Sequence, residues 1–430
     1  MSRLLNLALL VAGLCLVVLC HSHSILIQEN QPPDQTHEDD FRLAYSNDNF
    51  AFNLYRVLTL KKPNSNIYFS PLSVCTSLAV LLLGAHGNTE EEINKALNNK
   101  LTETSEAEFH QGFHIFLNTP KQASDHLYLS MGNAMFVQEG MKLLRKFKKD
   151  VQKLYRAEIF QLNFQNVSSA EKLINDYMNQ RTQGEILNLI SSLEPDTVMV
   201  LVNYMIFKGK WQRPFDPQDT YNSSFHITKE KSVVVPMMKI ESQFIPYFRD
   251  EKLSFTIVEL KYTNNASILF ILPDEGKMDE VEAMLSPKTL KRWRKLLKNN
   301  MIDELHLPRF SISSTYNLEE VLPELGIREV FTYHADLSGI TGAKNMMVSQ
   351  MVHKAVINVA EEGTEGATAQ GEKLNSFSAK IGQPNALIFN RPFLLTLLRG
   401  DGSIYFEGKL VNPQKAQSIL QSDGAPPSQE

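Results

Sequence analysis

The feature that most constrains the fold is a near-continuous apolar run, residues 198–207, which is rich in valine. Such a run is typical of a central strand covered on both faces. A second stretch, residues 72–83, is apolar on nearly every side of a helix and belongs inside a large core. Ser70 and Pro71 begin that helix as its cap and its first residue.

Strands follow mostly in the second half of the chain, and helices come mostly in the first half. The length of 430 residues suggests two or three domains by itself. However, no repeat and no interdomain linker interrupts residues 45–413. We therefore predict one large α+β domain over residues 45–413. The predicted strands after the central one are residues 267–272, 353–359, 387–389, 393–398 and 404–411.

Composition and motifs exclude several functional classes. Forty-three basic and 48 acidic residues give a net charge of -5, which argues against a dedicated nucleic-acid binder. Three cysteines are too few for a disulfide-dense scaffold or a multi-cysteine zinc module. No nucleophile elbow, phosphate loop or zinc-protease motif is present, and the 11 histidines show no metal-ligand spacing. We expect no catalytic residue, no metal site, no cofactor and no enzymatic activity.

The two ends of the chain predict export. A basic start followed by an apolar core predicts a cleaved signal peptide over residues 1–20. A membrane anchor is the alternative, but the run is short and no basic cluster follows it. Residues 21–44 are polar and predict a flexible tail, as do residues 414–430. The mature protein is therefore expected to be secreted, extracellular and monomeric, without a membrane segment.

Cysteine and asparagine positions are consistent with export. Removing the signal peptide leaves Cys75 alone, in an apolar helix where a buried inert thiol is expected. Three glycosylation sequons begin at Asn166, Asn222 and Asn265. Such triplets also arise by chance, so their occupancy stays open.

Two basic stretches interrupt the acidic balance. Lys288 to Lys298 contains six Lys or Arg and no acid, and Lys142 to Lys153 contains six against one Asp. The simpler interpretation is an amphipathic helix with a solvated basic face. The alternative is a weak site for heparin-like polyanions.

The most unusual stretch runs from Glu361 to Gln383, between two predicted strands. Its first half contains small side chains, and its second half presents Phe377 in a polar context. Loops of this length inside a compact domain are usually functional or disordered. An exposed aromatic on such a loop is suitable bait for a protease with a deep apolar pocket. Composition alone favours the plainer interpretation of a disordered loop with an incidental Phe.

A series of motifs in order resembles the serpin family, close to the antichymotrypsin-like branch of secreted serpins. The resemblance covers residues 45–413, and its specificity comes from all motifs occurring at family spacing. The motifs are Asn49-Phe-Ala-Phe-x-Leu-Tyr55, Asn66-Ile-Tyr-Phe-Ser-Pro-Leu-Ser73, Val202-Asn-Tyr-x-x-Phe-Lys208, Trp211, Pro214-Phe215, Ala335-Asp-Leu-Ser-Gly-Ile340, His353-Lys-Ala355, Glu362-Gly-Thr-Glu365 and Phe389-Asn-Arg-Pro-Phe393.

The resemblance implies a serpin fold with three β-sheets, about nine helices and an exposed reactive-centre loop over about residues 361–383. It also implies a suicide inhibitor of serine proteases. A protease cleaves the bait bond, and the amino-terminal half of the loop then inserts into the main sheet and traps the acyl-enzyme.

By the same resemblance the bait lies 14 residues after the hinge residue Gly363, which places the reactive bond between Phe377 and Ser378. Phe377 predicts chymotrypsin-like targets, whose apolar pocket accepts aromatic side chains. Lys373 and Lys380 are the alternatives and would imply trypsin-like targets. The hinge comprises Glu362, Gly363, Thr364, Glu365, Gly366, Ala367, Thr368 and Ala369.

The resemblance further assigns Ser70, Asn203 and His353 to the shutter, the cluster beneath the point where the sheet opens. Trp211 would lie at the breach, where insertion begins. A satisfied buried histidine also explains His353. Gly366 and Gln370 depart from the Ala-rich hinge of inhibitory members and would slow insertion. A non-inhibitory serpin that carries a hormone or acts as a chaperone is therefore the alternative function.

Overall fold

The structure, a computed structural model, describes residues 35–98, 106–118, 127–263, 265–344, 346–363 and 385–414. Helix α1 begins at Gln35, so residues 35–44 of the predicted flexible tail have helical backbone. Extending a helix costs little once its first turn has formed. The nine α-helices of the described residues are α1 Gln35–Lys61, α2 Pro71–Leu82, α3 Gly87–Ala96, α4 Glu106–Asn118, α5 Arg145–Tyr155, α6 Val167–Arg181, α7 Met278–Ala283, α8 Pro287–Leu296 and α9 Ser338–Thr341.

Strands predominate after α6, and each predicted strand is confirmed to within a few residues. Short 3₁₀ helices occupy Pro217–Asp219, Leu318–Glu320, Leu322–Leu325 and Glu329–Phe331. The strands are β1 Ile67–Phe69, β2 Leu127–Gln138, β3 Glu158–Leu162, β4 Met199–Gly209, β5 Tyr221–His226, β6 Ser232–Asp250, β7 Phe255–Lys261, β8 Ser267–Pro273, β9 Lys298–Pro308, β10 Phe310–Asn317, β11 Gln350–Val359, β12 Ala386–Ile388, β13 Phe393–Leu398 and β14 Ile404–Leu410.

The strands form a five-stranded sheet in the order β10-β11-β4-β2-β3 and a nine-stranded sheet. The larger sheet follows the path β1-β14-β13-β8-β7-β6-β9-β12, and β5 pairs with β6 beside it. Strand β6 pairs with β5 near its start, with β9 through its middle and with β7 at its end. The long strand therefore connects two parts of one hydrogen-bonded sheet. The α+β class with about nine helices is confirmed, but the described residues form two hydrogen-bonded sheets and not the three expected, because β6 joins strands into one larger sheet.

Strand β4 is buried along almost its entire length, as its apolar run predicts. Met205 and Phe207 face the nine-stranded sheet and share a core with Phe393. Val200 and Val202 belong to a second core with the inner face of α6. A central strand covered by a sheet on one side and a helix on the other has no solvent face, which explains the missing polar alternation.

Helix α2 lies between the two sheets and contacts β2, β4 and β14. All of its residues are buried. Ser70 caps it by accepting a hydrogen bond from the Ser73 amide, and Pro71 occupies the first helical position. Cys75 is a buried free thiol whose pKa is raised by burial. The predicted inert cysteine is thus confirmed.

Two glutamates near α1 and β14 have opposite environments. Glu282 of α7 pairs with Lys409 at 2.9 Å and accepts a hydrogen bond from the Tyr55 hydroxyl at 2.6 Å. Glu407 is fully buried, and neither of its carboxylate oxygens has a partner at standard hydrogen-bond geometry, although the Thr396 hydroxyl lies close enough to interact. Burial raises the pKa of Glu407 well above its ordinary value; the Thr396 hydroxyl opposes this rise, and the Asp48 carboxyl adds to it.

Replacing Glu407 with Met is expected to stabilise the protein at pH 7.5 by about 1–3 kcal/mol, because a buried polar group without partners is removed. Because burial raises the pKa of Glu407 well above 4.5 in the folded state, the folded protein keeps this proton at pH values where the unfolded chain has lost it. The wild type therefore loses stability as pH rises above that value. The advantage of Glu407→Met in denaturant unfolding should grow from pH 4 to pH 8.

Glu282→Gln is the matched contrast. It removes the charge that compensates Lys409 and should destabilise the protein by about 3–5 kcal/mol at pH 7.5. An advantage of Glu407→Met that does not change with pH would contradict the assignment of a protonated Glu407.

Candidate functional site

The two central strands β4 and β11 lie side by side and run parallel. Their register pairs Gln350 with Val200 at one end and Val356 with Ile206 at the other. Both strands end at the same edge of the sheet. There β11 continues to Gly363, the last described residue before the predicted reactive loop. The base of that loop is therefore attached to the end of the parallel pair.

Trp211 holds the chain that leaves β11. Its indole Nε1 donates to the Ala360 carbonyl at 2.9 Å, and its amide donates to the Glu362 carbonyl at 2.8 Å. The indole ring stacks on Tyr262, with ring centroids 4.3 Å apart. Because both Trp211 and Tyr262 are buried, these contacts are protected from water. The tryptophan therefore fixes the loop base by both ring and backbone.

Glu361 adds a side-chain attachment at the same place. Its carboxylate is buried, accepts a hydrogen bond from the Thr220 hydroxyl at 2.7 Å and lies 3.5 Å from an Arg309 guanidinium nitrogen. Its carbonyl accepts a hydrogen bond from the Phe215 amide at 2.8 Å. A buried carboxylate satisfied in this way helps to keep the loop base in position.

Gly363 occupies a position that no other residue fits without displacement. Its φ is +148°, and it bridges both Lys210 and Ala360. A Cβ built on it would lie 1.9 Å from the Gly209 carbonyl oxygen. The backbone of the loop base therefore lies directly against the end of β4, which only a residue without a side chain permits.

A polar cluster lies beneath the middle of the β4–β11 pair. His353 of β11 is opposite Asn203 of β4 in the register. The Ser70 amide donates to His353 Nε2 at 2.9 Å, and His353 Nδ1 hydrogen-bonds the Asn203 side-chain oxygen. The Ser73 hydroxyl also donates to that oxygen at 3.1 Å. The cap of α2 is thereby linked to both central strands.

The hydrogen bonds assign the protonation state of His353. Because Nε2 accepts from the Ser70 amide, it carries no proton, and Nδ1–H must donate to Asn203. The imidazole is then neutral. Burial lowers the pKa of His353 from 6.5 to about 3, since the charged form would be desolvated. Tyr316 stacks on the ring at 6.3 Å between centroids.

Comparison with known proteins identifies the family. The sequence profile described as "Serpin (serine protease inhibitor)" matches residues 45–413. The chain belongs to the serpin family. Human alpha-1-antichymotrypsin is 54% identical over 420 residues, covering 97% of this chain and 99% of that protein. A relative from Rattus norvegicus that is named as a serine protease inhibitor is 51% identical over 419 residues, covering 96% and 100%.

Solved serpin structures share the fold. Human thyroxine-binding globulin superposes with a TM-score of 0.82 at 40% identity, covering 87% of this chain and 99% of that one. Human glycosylated kallistatin gives a TM-score of 0.82 at 38% identity, with the same coverage. The predicted serpin fold is confirmed.

The predicted shutter residues lie together in the structure, whereas the predicted bait and most of the predicted hinge lie outside the described residues. Ser70, Asn203 and His353 meet in the cluster, and Trp211 contacts the segment that contains Glu362 and Gly363. The predicted bait and most of the hinge lie outside the described residues. These are Thr364, Glu365, Gly366, Ala367, Thr368, Ala369, Gln370, Lys373, Phe377, Ser378 and Lys380.

The predicted surface features lie on separate elements of the serpin. Asn166, Asn222 and Asn265 are all exposed, at the cap of α6, in β5 and in the turn between β7 and β8. The two basic stretches form α5 and α8. Their exposed cations are Lys142, Arg145, Lys146, Lys148, Lys149, Lys153, Lys288, Lys291, Arg292, Lys295 and Lys298.

Sequence reasoning missed the partners of the loop base. Thr220, Tyr262 and Arg309 come from three separate parts of the chain, and no local motif connects them to Glu361 or Trp211. Within the described ranges, no helix is long and apolar enough to cross a membrane. In that same part of the chain, no cluster of potential metal ligands occurs.

Replacing His353 with Gln is expected to lower the free energy of unfolding at pH 7 by about 1–3 kcal/mol, because the Ser70 and Asn203 contacts are disturbed. The unfolded wild type takes up a proton near pH 6.5, whereas the folded state does so only near pH 3. The free energy of unfolding of the wild type therefore decreases as the pH is lowered from 6.5 to 3. From pH 6.5 to pH 5 the loss due to His353 is about 1–2 kcal/mol, and it should be absent from the variant.

Denaturant unfolding at several pH values measures this slope. His334, which is exposed, provides the control, and His334→Gln should keep the wild-type slope. His110 is also buried with a pKa lowered to about 4, and it contributes equally to wild type and variant. Parallel pH profiles for wild type and His353→Gln would show that His353 is not the neutral buried group described above.

Proposed function

We propose that this serpin inhibits chymotrypsin-like serine proteases as a suicide substrate, with Phe377–Ser378 as the reactive bond. The protease attacks the Phe377 carbonyl, forms an acyl-enzyme and frees a new amino terminus at Ser378, while the following chain stays bound through β12, β13 and β14. The segment after Gly363 then enters the five-stranded sheet between β11 and β4 and carries the acylated protease with it. The serpin supplies bait and stored conformational energy, and it contributes no catalytic residue, metal or cofactor.

The observation that carries this proposal is the parallel pairing of β4 with β11. A segment that leaves the end of β11 and turns back between these strands runs antiparallel to both. Insertion therefore exchanges one parallel ladder for two antiparallel ladders. Parallel pairing is slightly less stable per residue than antiparallel pairing. The sheet would therefore gain both additional hydrogen bonds and the more stable antiparallel hydrogen-bond geometry.

The loop has the reach that insertion requires. Phe377 lies 14 positions after Gly363, so the segment between them extends to about 46 Å. Strand β11 has 10 residues, which corresponds to about 33 Å. The inserted segment would therefore run past the whole of β11 and carry Phe377 toward the opposite end of the sheet.

Relatives support the inhibitory function. The proteins that share 54% and 51% identity are named as an antichymotrypsin and a serine protease inhibitor. The carrier alternative has weaker support, since thyroxine-binding globulin shares 40% identity. Gly366 and Gln370 remain the residues that would slow insertion, and slow insertion gives a cleaved substrate in place of a trapped protease.

We further propose that the protein is secreted after loss of residues 1–20 and acts as a glycosylated monomer. The exposure of Asn166, Asn222 and Asn265 supports glycosylation, because all three side chains are accessible. A smaller apparent mass after treatment with an N-glycosidase would show that the sequons carry glycans.

The exposed basic face of α8 fits a heparin-like polyanion. Salt-dependent retention on immobilised heparin tests that binding.

Incubation with chymotrypsin should give a covalent complex that survives SDS, and the released peptide should begin at Ser378. Phe377→Arg should lose about 10²-fold or more in the rate of complex formation with chymotrypsin, because a charged side chain replaces the aromatic one in an apolar pocket. The same variant should gain a complex with trypsin.

Gel electrophoresis measures the SDS-resistant complex, and mass spectrometry of the released peptide identifies its amino terminus. Lys373→Gln and Lys380→Gln are the controls and should leave the chymotrypsin complex unchanged. Complete cleavage of the loop without any SDS-resistant complex would refute the inhibitory function. A new amino terminus at Leu374 would refute the Phe377 assignment alone.

A further inference from the structure

A cavity of about 330 Å³ opens at the end of the five-stranded sheet opposite Gly363, where β4 and β11 begin. This volume is within the range of small-molecule sites. Its walls come from the end of α1, the end of β10, the start of β11 and the segment that connects α6 to β4. The residues that matter below are Leu58, Lys61, Lys62, Ile190, Tyr316 and Gln350.

The cavity walls belong to opposite sides of the line along which the sheet would open. Residues 189–192 lie in the segment that leads directly into β4, whereas Tyr316 and Gln350 belong to β10 and β11. Beyond the β4–β11 ladder, which begins at Gln350, the two sides are joined here by the Ser349 amide, which donates to the Met199 carbonyl at 2.9 Å, and by two further hydrogen bonds. The Gln350 amide donates to the Ser192 carbonyl at 3.5 Å, and the Val198 amide donates to the Ser349 hydroxyl at 2.9 Å.

The lining has a definite chemistry. Leu58 and Ile190 contribute buried apolar surface. Lys61 and Lys62 are exposed at the rim, where Lys61 lies 3.8 Å from the Glu324 carboxylate. Lys62 lies 5.9 Å from the centre of the Tyr316 ring and is the rim cation for the ligand. Gln350 Oε1 is buried and accepts no hydrogen bond. Glu320 is the acidic residue among the lining residues, and its carboxylate accepts a hydrogen bond from the Asn317 side-chain amide at 3.4 Å. Such a site suits an anion with an apolar body and a hydrogen-bond donor.

We propose that this cavity binds a small amphipathic organic carboxylate, which bridges the two sides of the sheet and slows loop insertion. A ligand that contacts residues 189–192 together with β10 and β11 loses contacts when β4 and β11 separate. It therefore stabilises the closed sheet in proportion to its preference for that state. The effect on insertion rests on the function proposed above, whereas the binding does not.

Binding is tested by titration calorimetry with 3-(4-hydroxyphenyl)propionate, which combines a carboxylate, a ring and a phenolic donor. Lys62→Gln and Gln350→Leu should each weaken its affinity by about tenfold, the effect of losing one charge-assisted or buried hydrogen bond. Lys252→Gln, a charge change in the exposed turn between β6 and β7, should leave the affinity unchanged. 3-Phenylpropionate, which lacks the donor, should be insensitive to Gln350→Leu.

Insertion is measured in two ways, at a probe concentration about three times the wild-type Kd. The rate of SDS-resistant complex formation should then fall about fourfold in wild type and change little in Lys62→Gln, whose affinity is about tenfold weaker. After cleavage of the loop by a protease that is not trapped, the rise in melting temperature that reports insertion should be delayed by the probe. This second readout remains available if no inhibitory complex forms.

The outcomes separate the two proposals. No SDS-resistant complex without probe refutes inhibition alone, and the cleaved-loop assay still decides the effect on insertion. No binding at millimolar probe, or binding that neither substitution weakens, overturns the cavity proposal. Binding that leaves insertion after loop cleavage at its ordinary rate also overturns it, because the ligand would then not bridge the two sides.

Discussion

Parallel pairing of β4 and β11 is the arrangement on which the rest of the molecule depends. The two strands are buried by the nine-stranded sheet on one face and by α6 with its following segment on the other. They nevertheless share a ladder that a third, antiparallel strand would improve. Cys75, the one cysteine in the described part of the chain, is a free thiol. No covalent cross-link there opposes separation of the strands.

The contacts between β4 and β11 differ in kind at the two ends and in the middle of the strand pair. At one end, Trp211, Glu361 and Gly363 hold the loop base through buried hydrogen bonds and close backbone contact. In the middle, neutral His353 connects both strands to the cap of α2. At the other end the two sides enclose a cavity. The strand separation proposed above would therefore break a specific polar cluster.

The closed molecule retains buried polar atoms without partners, which lowers the stability of this state. Asn203 Nδ2 donates no hydrogen bond, and both carboxylate oxygens of Glu407 accept none. Each such group costs about 1–3 kcal/mol relative to a satisfied one. Proteins commonly tolerate costs of this size where function needs a conformational change. For the trapping proposed above, the rate of insertion must exceed the rate of deacylation, so a closed state below maximal stability would favour trapping.

The sequence alone determined the strands, the buried helix α2 and the serpin family. It also selected Ser70, Asn203 and His353, which form one cluster, and Trp211, which contacts the loop base. Local apolar pattern, caps and ordered motifs carry that information, because they depend on neighbours in the chain. Only the tertiary structure decided the parallel pairing, the partners Thr220, Tyr262 and Arg309 of the loop base, the unpartnered Glu407 and the cavity beside Gln350. These features join residues that are far apart in sequence, and their energies depend on burial and distance, which no local pattern encodes.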